Sequence, residues 1–247
     1  MIIAILIGRR GSRGFPGKNI HKVLGRRLCE YPLLAAKKSK YIDKIFVSTD
    51  CPVITRVGKK YGASIIKRPR KLADHKALGD HVFEQSYFQI KKILGVKANE
   101  IDSLVLLMAN APTITHRLID KGIKILKNNK KYDSAVTTSV YNMWSPPRAR
   151  KLQKGFLKPF VPFSTFGGSK NFNCDRDSQG DVYYADMSVS VVRPKCLENL
   201  KSGLLPQKWM GKKIASITSW GGCDVDYEWQ LPMVEFWLRK NGYKNYK

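Results

Sequence analysis

Residues 2–19 read IIAILIGRRGSRGFPGKN, an unbroken apolar run followed by a loop rich in glycine and basic residues. A strand that is apolar at every position is typical of the centre of a parallel sheet, where both faces are buried. Glycines let main-chain N–H groups approach an anion closely, and the four cationic side chains of the loop add positive potential. The stretch therefore predicts a buried first strand that ends in an anion-binding loop.

Strand-like and helix-like segments alternate along the rest of the chain. This alternation predicts βαβ units and an α/β fold, with a Rossmann-like, mostly parallel sheet flanked by helices. Further strands are predicted at residues 44–49, 63–66, 103–108, 133–141, 182–192 and 214–218, and helices at residues 28–38, 52–61, 80–94, 115–127 and 226–241. In such a sheet ligands bind beyond the carboxyl ends of the strands, where the glycine-rich loop begins.

The pattern changes between Ser145 and Gly180, where prolines and glycines interrupt any regular periodicity. The phenylalanines in this irregular segment suggest that it packs against something apolar. A lid, an arm that packs on a second subunit and plain surface loops all fit this composition. We treat residues 1–247 as a single domain that contains residues 145–180 as a lid or dimerisation segment.

The charge of the chain is unusual, with 45 Lys and Arg against 19 Asp and Glu and a formal net charge of +26. Such an excess favours anionic partners, including nucleic acid. The lysines, however, are scattered along the whole chain, without a basic arm or zinc-finger spacing. We interpret most of them as solvated helix faces and expect no nucleic-acid partner, although a non-catalytic polyanion-binding protein stays open as an alternative.

Cysteine usage and hydropathy indicate the compartment. The five cysteines are widely separated and include no C-x-x-C pair, which favours neither a disulfide framework nor a zinc site and fits a reducing compartment. The apolar run at residues 2–7 is too short for a signal peptide or a membrane span, and no later run reaches membrane length. We therefore expect a cytoplasmic protein with no membrane partner.

The glycine-rich loop differs from the two best-known phosphate-binding loops. A Walker A loop needs Gly where Ser12 stands and Ser or Thr where Asn19 stands. The dinucleotide pattern G-x-G-x-x-G is also absent, because the glycines fall at positions 11, 14 and 17. A triphosphate cradle of another kind is the interpretation that we prefer over a flexible basic surface loop.

A second candidate site lies near the carboxyl terminus, at Asp224-Val225-Asp226. In an extended strand, residues i and i+2 point to the same side, so the two carboxylates should converge. Mg²⁺ binds through one or two carboxylates together with substrate phosphates, which makes the pair a candidate metal site. Alternatively, Asp226 caps the last helix, with Glu228 in its first turn. Asp224 has no such capping role, which favours the metal.

These motifs give the chain a family resemblance. The loop is similar to A-R-x-x-S-K-G-x-P-x-K-N, the N-terminal signature of the CMP-sialic acid synthetases (acylneuraminate cytidylyltransferases), with Arg13 standing where Lys is usual. Directly matching positions are Arg9, Ser12, Gly14, Pro16, Lys18 and Asn19. The similarity continues through residues 47–50, 59–63 and 68–73, and Asp224-Val225-Asp226 resembles the Asp-x-Asp of the family. Over residues 2–240 the match is strong only near the two ends.

The resemblance implies a sheet of the nucleotide-diphospho-sugar transferase type and a homodimer in which residues 145–180 reach the partner. It implies transfer of CMP from CTP to an acidic sugar, with Mg²⁺ and release of pyrophosphate, for cell-surface glycan synthesis. The implied catalytic residues are Arg9, Lys18, Asp224 and Asp226, of which the two aspartates hold the metal. The implied nucleotide-binding residues are Arg9, Gly11, Ser12, Arg13, Gly14, Lys18, Asn19, Arg68 and Asn110.

The middle of the chain departs from the family pattern. Met108 takes the place of a glutamine in L-L-Q-P-T-S-P-L-R and cannot form the hydrogen bonds of an amide, although Asn110 could substitute for it. Asp186-Met187 replaces an Asn-Gly pair, and residues 74–79 are altered too. These departures favour an altered acceptor, such as a different sugar acid or a phosphonate. Candidate substrate contacts are Met108, Asn110, Arg176, Gln179 and Asp186.

Overall fold

The computed structural model describes residues 1–12, 14–74, 76–168 and 172–246. In chain order its strands are β1 (Ile2–Gly8), β2 (Lys22–Val23), β3 (Arg26–Arg27), β4 (Lys44–Thr49), β5 (Ser64–Lys67), β6 (Ser103–Met108), β7 (Ser134–Val140), β8 (Arg150–Gln153), β9 (Phe156–Pro159), β10 (Tyr183–Val192) and β11 (Ile214–Thr218). Its α-helices are α1 (Glu30–Lys38), α2 (Pro52–Lys60), α3 (Arg70–Ala73), α4 (Gly79–Leu94), α5 (His116–Asn128), α6 (Pro194–Glu198) and α7 (Leu231–Lys240).

Seven strands form the central sheet, in the order β5-β4-β1-β6-β10-β7-β11. Neighbouring strands are parallel except at β10, which runs antiparallel to β6 and β7 on either side of it. The prediction of a mostly parallel sheet is therefore confirmed. The apolar run that opens the chain becomes β1, with Ile5 opposite Phe46 on β4 and Leu106 on β6.

Two apolar layers cover the sheet, and alternate residues of β1 supply both. Ala4 and Leu6 belong to the layer beneath α1, α2, α5 and α7, whereas Ile3 and Ile5 belong to the layer beneath α4 and α6. Helix α5 approaches the sheet closely at Gly122, where a Cβ atom would come within 2.6 Å of Ile217. No helix in the described part of the chain combines the length and the apolar character that crossing a bilayer requires.

The start of the last helix differs from the prediction. Thr115 caps α5 as expected, with its hydroxyl accepting a hydrogen bond from the Leu118 N–H at 3.3 Å. The final helix, however, begins at Leu231 rather than at Asp226, after a 3-10 turn at Glu228–Gln230. The Gln230 side chain accepts hydrogen bonds from the N–H groups of residues 226 and 227, at 2.7 and 2.8 Å. Because Gln230 performs the capping, the Asp226 carboxylate is not needed for it.

Part of the segment predicted as irregular, residues 145–180, is a regular hairpin. Strands β8 and β9 pair in antiparallel fashion, joined by Lys154 and Gly155, both with positive φ. Two consecutive residues of positive φ are typical of the tight turns whose twist suits a hairpin. Leu152 and Leu157 face each other across the strands and are 74% and 72% exposed.

Candidate active site

A cleft of about 420 Å³ lies at the carboxyl ends of β1 and β6, where the sheet topology predicts ligand binding. The structure brings nine of the predicted site residues together around it: Arg9, Ser12, Gly14, Lys18, Asn19, Arg68, Met108, Asn110 and Asp226. Gly11 borders a neighbouring pocket on the other side of the loop. Arg13 lies outside the described residues.

The loop after β1 is held in shape by its own polar groups. The buried Asn19 side chain donates a hydrogen bond to the Arg9 main-chain oxygen at 3.0 Å. The Arg10 N–H in turn donates to the Asp50 carboxylate at the end of β4, at 2.7 Å. Gly17 has a φ of +74°, in the left-handed region that favours glycine. Asn19 thus closes the loop, while the side chains of Arg9 and Lys18 line the cleft.

Asp226 lines this cleft from the far end of the chain, whereas Asp224 lies outside the lining and contacts the cleft residue Asn110, whose Nδ2 is 3.4 Å from Asp224 Oδ2. Val225 between them is fully buried, while Asp226 is exposed and Asp224 is partly buried. Asp226 forms an ion pair with Lys18 of the loop. Burial, followed by the negative charge of Asp226, raises the pKa of Asp224. Among the described residues, Lys18 and the Asn110 amide oppose this rise in the pKa of Asp224 without cancelling it.

The carboxylate pair fits a magnesium ion better than a metal held by protein ligands alone. Within residues 1–12, 14–74, 76–168 and 172–246, no group of three or more His, Cys, Asp or Glu side chains could hold an ion. Mg²⁺ needs only one or two carboxylates, because substrate phosphates and water complete its octahedral shell. Asp224 and Asp226 would be the residues that hold it.

Asn110 connects the carboxylate pair to the sheet. Its side-chain Nδ2 donates to the Val225 main-chain oxygen at 3.0 Å and to Asp224 Oδ2 at 3.4 Å. Its main-chain oxygen accepts a hydrogen bond from the Val225 N–H at 2.8 Å. The segment that carries both aspartates is therefore hydrogen-bonded to the turn that follows β6.

Arg68 supplies a buried positive charge at another side of the cleft. Arg68 is 6% exposed and donates to the Ser48 main-chain oxygen at 2.9 Å, while its Nε is buried with no hydrogen-bond partner among the described residues. Burial lowers the pKa of Arg68 to about 10, an effect that Asp50 opposes and Arg9 reinforces. The guanidinium remains charged at neutral pH. A buried cation with an unsatisfied donor is suited to an anionic or carbonyl-bearing ligand.

Sequence reasoning missed several cleft residues. Gly79 is the first residue of α4 and lines the cleft, so the N-terminus of that helix, which has no side-chain cap in the described part of the chain, borders the site. Tyr227 also lines it, with its ring 3.6 Å from where a Cβ of Gly14 would lie. The departure of residues 74–79 from the family pattern could have indicated Gly79. The position of Tyr227 directly after Asp226 could have indicated Tyr227.

Three predicted substrate residues lie outside the lining of the cleft. Asp186 is 5% exposed and accepts hydrogen bonds from the Ser139 hydroxyl at 2.7 Å and the Ser188 N–H at 3.1 Å. Arg176 is at the surface, paired with Asp177 at 2.8 Å. Gln179 borders a separate small pocket beside the hairpin. A substrate role for these three residues stays a prediction.

Comparison with known proteins gives the site its context. The model of the cytidylyltransferase family matches residues 3–154. The N-acylneuraminate cytidylyltransferase of Escherichia coli O18:K1:H7 is 30% identical over 141 residues, 57% of this chain and 32% of that protein. The pseudaminic acid cytidylyltransferase of Campylobacter jejuni is 29% identical over 141 residues, 56% of this chain and 59% of that protein. The chain thus matches about a third to three fifths of the length of these relatives.

The fold as a whole has solved counterparts. The structure of a CMP:2-keto-3-deoxy-manno-octonic acid synthetase complexed with CTP superposes with a TM-score of 0.67 at 13% identity. The superposition covers 97% of this chain and 99% of that one, so the likeness extends beyond the residues of the family match. A likeness at this identity concerns the fold, whereas the family match concerns the sequence itself. The chain belongs to the cytidylyltransferase family, as a divergent member similar to the CMP-sialic acid synthetases.

Proposed function

We propose that this protein is a Mg²⁺-dependent enzyme that transfers CMP from CTP to an acidic sugar of the nonulosonic acid type and releases pyrophosphate. The observation that carries the proposal is the Lys18–Asp226 ion pair, which joins the basic loop to one carboxylate of the pair across one cleft. Phosphoryl and nucleotidyl transfer require positive charge on the departing phosphates and a fixed line of attack. The cleft offers groups for both.

The residues of the site have different roles in the proposed reaction. Arg9 and Lys18 bind the β- and γ-phosphates and neutralise the charge that develops on the leaving pyrophosphate. Arg68 and the N-terminus of α4 lie where they can hold the rest of the nucleotide. Asp224 and Asp226 hold Mg²⁺, which when bound polarises phosphate oxygens and neutralises their charge. A hydroxyl of the sugar acid attacks the α-phosphorus in line with the departing pyrophosphate.

Substrate binding must rearrange the ion pair of the free protein. Lys18 cannot remain on Asp226 while it contacts the terminal phosphates of CTP and Asp226 contacts a metal ion. The triphosphate offers Lys18 a stronger partner than one carboxylate, because it carries several charged oxygens. Nucleotide binding thus releases Asp226 for the metal.

The acceptor is a sugar acid other than N-acetylneuraminic acid. Met108 lies in the cleft where the similar synthetases have glutamine, and a thioether cannot meet a buried polar atom as an amide does. An acceptor without that polar group suits the site best. A phosphonate acceptor is the second candidate, favoured by the same residue and by the basic lining of the cleft.

We further propose that the enzyme works as a cytoplasmic homodimer, with residues 145–180 against the partner, and that its product supplies cell-surface glycan synthesis. All five cysteines are free thiols, as suits a reducing compartment. The exposed pair Leu152 and Leu157 on the hairpin provides an apolar surface for a second subunit.

The proposal is tested by incubating the protein with each nucleoside triphosphate, Mg²⁺ and a panel of acidic sugars and phosphonates while measuring pyrophosphate. We expect release that requires CTP, the metal and a nonulosonic acid, with N-acetylneuraminic acid among the poorer acceptors. Efficient transfer to N-acetylneuraminic acid above all related acids would refute the role given to Met108. Absence of acceptor-dependent release with every nucleotide would refute the function.

A further inference from the structure

We infer that Asn110 is a positioning residue that fixes the two carboxylates of Asp224 and Asp226, rather than a residue that contacts the base or the acceptor. The inference rests on the proposed function, because it concerns the same site. It replaces the expectation that the Asn110 amide substitutes for the glutamine that Met108 displaces.

The hydrogen bonds of Asn110 carry the inference. A carboxamide nitrogen has two hydrogens to donate. In Asn110 one is directed to the Val225 main-chain oxygen at 3.0 Å and the other to Asp224 Oδ2 at 3.4 Å. Both donors are therefore committed within the protein. The side chain has no donor left with which to replace an amide that reads a ligand.

The segment around Val225 needs such an anchor. Asp224, Val225 and Asp226 lie outside the strands of the sheet, so no ladder of main-chain hydrogen bonds fixes them. Within these three residues, the Gln230 side chain bonds the Asp224 main-chain oxygen and the Asp226 N–H, on either side of Val225. Two bonds tie Val225 to residue 110: its N–H donates to the Asn110 main-chain oxygen at 2.8 Å, and its oxygen accepts from the side chain. The buried Val225 side chain completes the attachment.

The same contacts orient the functional carboxylates. Two neighbouring carboxylates repel each other, and Asp226 has Lys18 as its partner whereas Asp224 has the Asn110 amide. Groups that hold the ligands of a metal in place typically change metal affinity or activity 10- to 100-fold when they are removed. Asn110 is placed to have this effect through the two aspartates, although it also lines the cleft.

Asn110→Ala provides the test, with Asn241→Ala as the matched control. Asn241 also donates through Nδ2 to a main-chain oxygen, that of Trp237 at 2.9 Å, but it lies at the end of α7, away from the cleft. The first readout is hydrogen exchange of the peptide that covers residues 222–230 in the protein without ligands. We expect faster exchange in Asn110→Ala than in the wild type or in the control.

The second readout separates positioning from ligand recognition. We expect the Mg²⁺ concentration for half-maximal pyrophosphate release to rise about tenfold or more in Asn110→Ala, while the KM for CTP stays within about twofold. Asn110→Leu, of similar volume but without donors, serves if the alanine variant does not fold. A raised KM for CTP or sugar with unchanged Mg²⁺ dependence would overturn the inference, as would unchanged exchange. Should the wild type lack turnover, the proposed function fails and the exchange experiment still decides the role of Asn110.

Discussion

At the scale of single residues, the Lys18–Asp226 pair links two groups that are 208 positions apart in the sequence. Each has a role in the proposed reaction that the other would obstruct, since the lysine must reach phosphates and the aspartate a metal. The ion pair therefore describes the free protein, and its two halves can be tested separately.

Replacing Lys18 by alanine should weaken binding of CTP far more than binding of CMP. A hydrogen bond to a charged group contributes about 1.5–3 kcal/mol, so the loss for CTP should be roughly tenfold to a hundredfold in Kd. CMP lacks the phosphates that Lys18 contacts and should lose little. Titration calorimetry measures both, with the exposed Lys22→Ala as a control outside the cleft. Equal losses for the two nucleotides would remove Lys18 from the phosphate-binding role.

Asp224→Asn should make the metal-free protein more stable at neutral pH. Burial and the charge of Asp226 raise the pKa of Asp224 above its value in the unfolded chain. When folding raises the pKa of a carboxyl group, the folded state loses stability as the pH rises from the pKa of the unfolded chain to that of the folded protein. At higher pH this loss of stability remains. The asparagine variant escapes this penalty.

Urea unfolding in the presence of a chelator measures the difference. The gain should be present at pH 7, shrink as the pH falls through the folded pKa of Asp224, and vanish below about 3.9, the ordinary value of an aspartate. Asp226→Asn is the matched comparison, because it relieves only the repulsion on Asp224 and also removes the ion pair with Lys18, so its gain should be smaller. A wild type that is more stable than Asp224→Asn at pH 7 would contradict this account.

At the scale of elements, the β8–β9 hairpin leaves several large apolar side chains exposed. Leu152 and Leu157 form a cross-strand pair that is 74% and 72% exposed, and Phe156 on the opposite face is 70% exposed. Contiguous exposed apolar side chains are typical of interaction surfaces. A two-stranded hairpin has no core of its own, so packing on a second subunit would bury the apolar side chains that the hairpin leaves exposed.

Placing lysines at Leu152 and Leu157 should convert the proposed dimer into a monomer. Burying two unpaired charges at an interface costs more free energy than the apolar contacts contribute to association. Light scattering on the purified protein should show the wild type at twice the mass of the double variant. Leu205→Lys, at a residue that is 79% exposed outside the hairpin, should leave the mass unchanged. A monomeric wild type would disprove the dimer.

At the scale of the whole molecule, the sheet could be predicted because its strands are marked by local patterns. Residues 2–7 and 104–108 are apolar throughout, and they lie in the adjacent central strands β1 and β6. The loop residues of the site could be predicted for a related reason: a glycine-rich basic stretch directly after a buried strand must lie at the carboxyl edge of the sheet.

The remaining features depend on contacts that no local pattern encodes. The role of Gln230 in capping its own turn was hidden by the carboxylate of Asp226 four residues earlier, which looked like the better cap. The hydrogen bonds between Val225 and Asn110 join residues more than a hundred positions apart, and no local sequence pattern near either residue predicts them. The hairpin turn at Lys154-Gly155 was masked by the prolines that surround it.

Turnover of Asp224→Asn tests the central claim most directly, since the claim is that one cleft joins a phosphate loop to a metal-binding carboxylate pair. Pyrophosphate release from CTP, Mg²⁺ and the best nonulosonic acid acceptor is measured for the wild type and the variant, with circular dichroism to check the fold. We predict a folded variant whose rate falls on the order of a hundredfold or more, because a positioned charge at the transition state is lost. Near wild-type turnover in the folded variant would contradict the account.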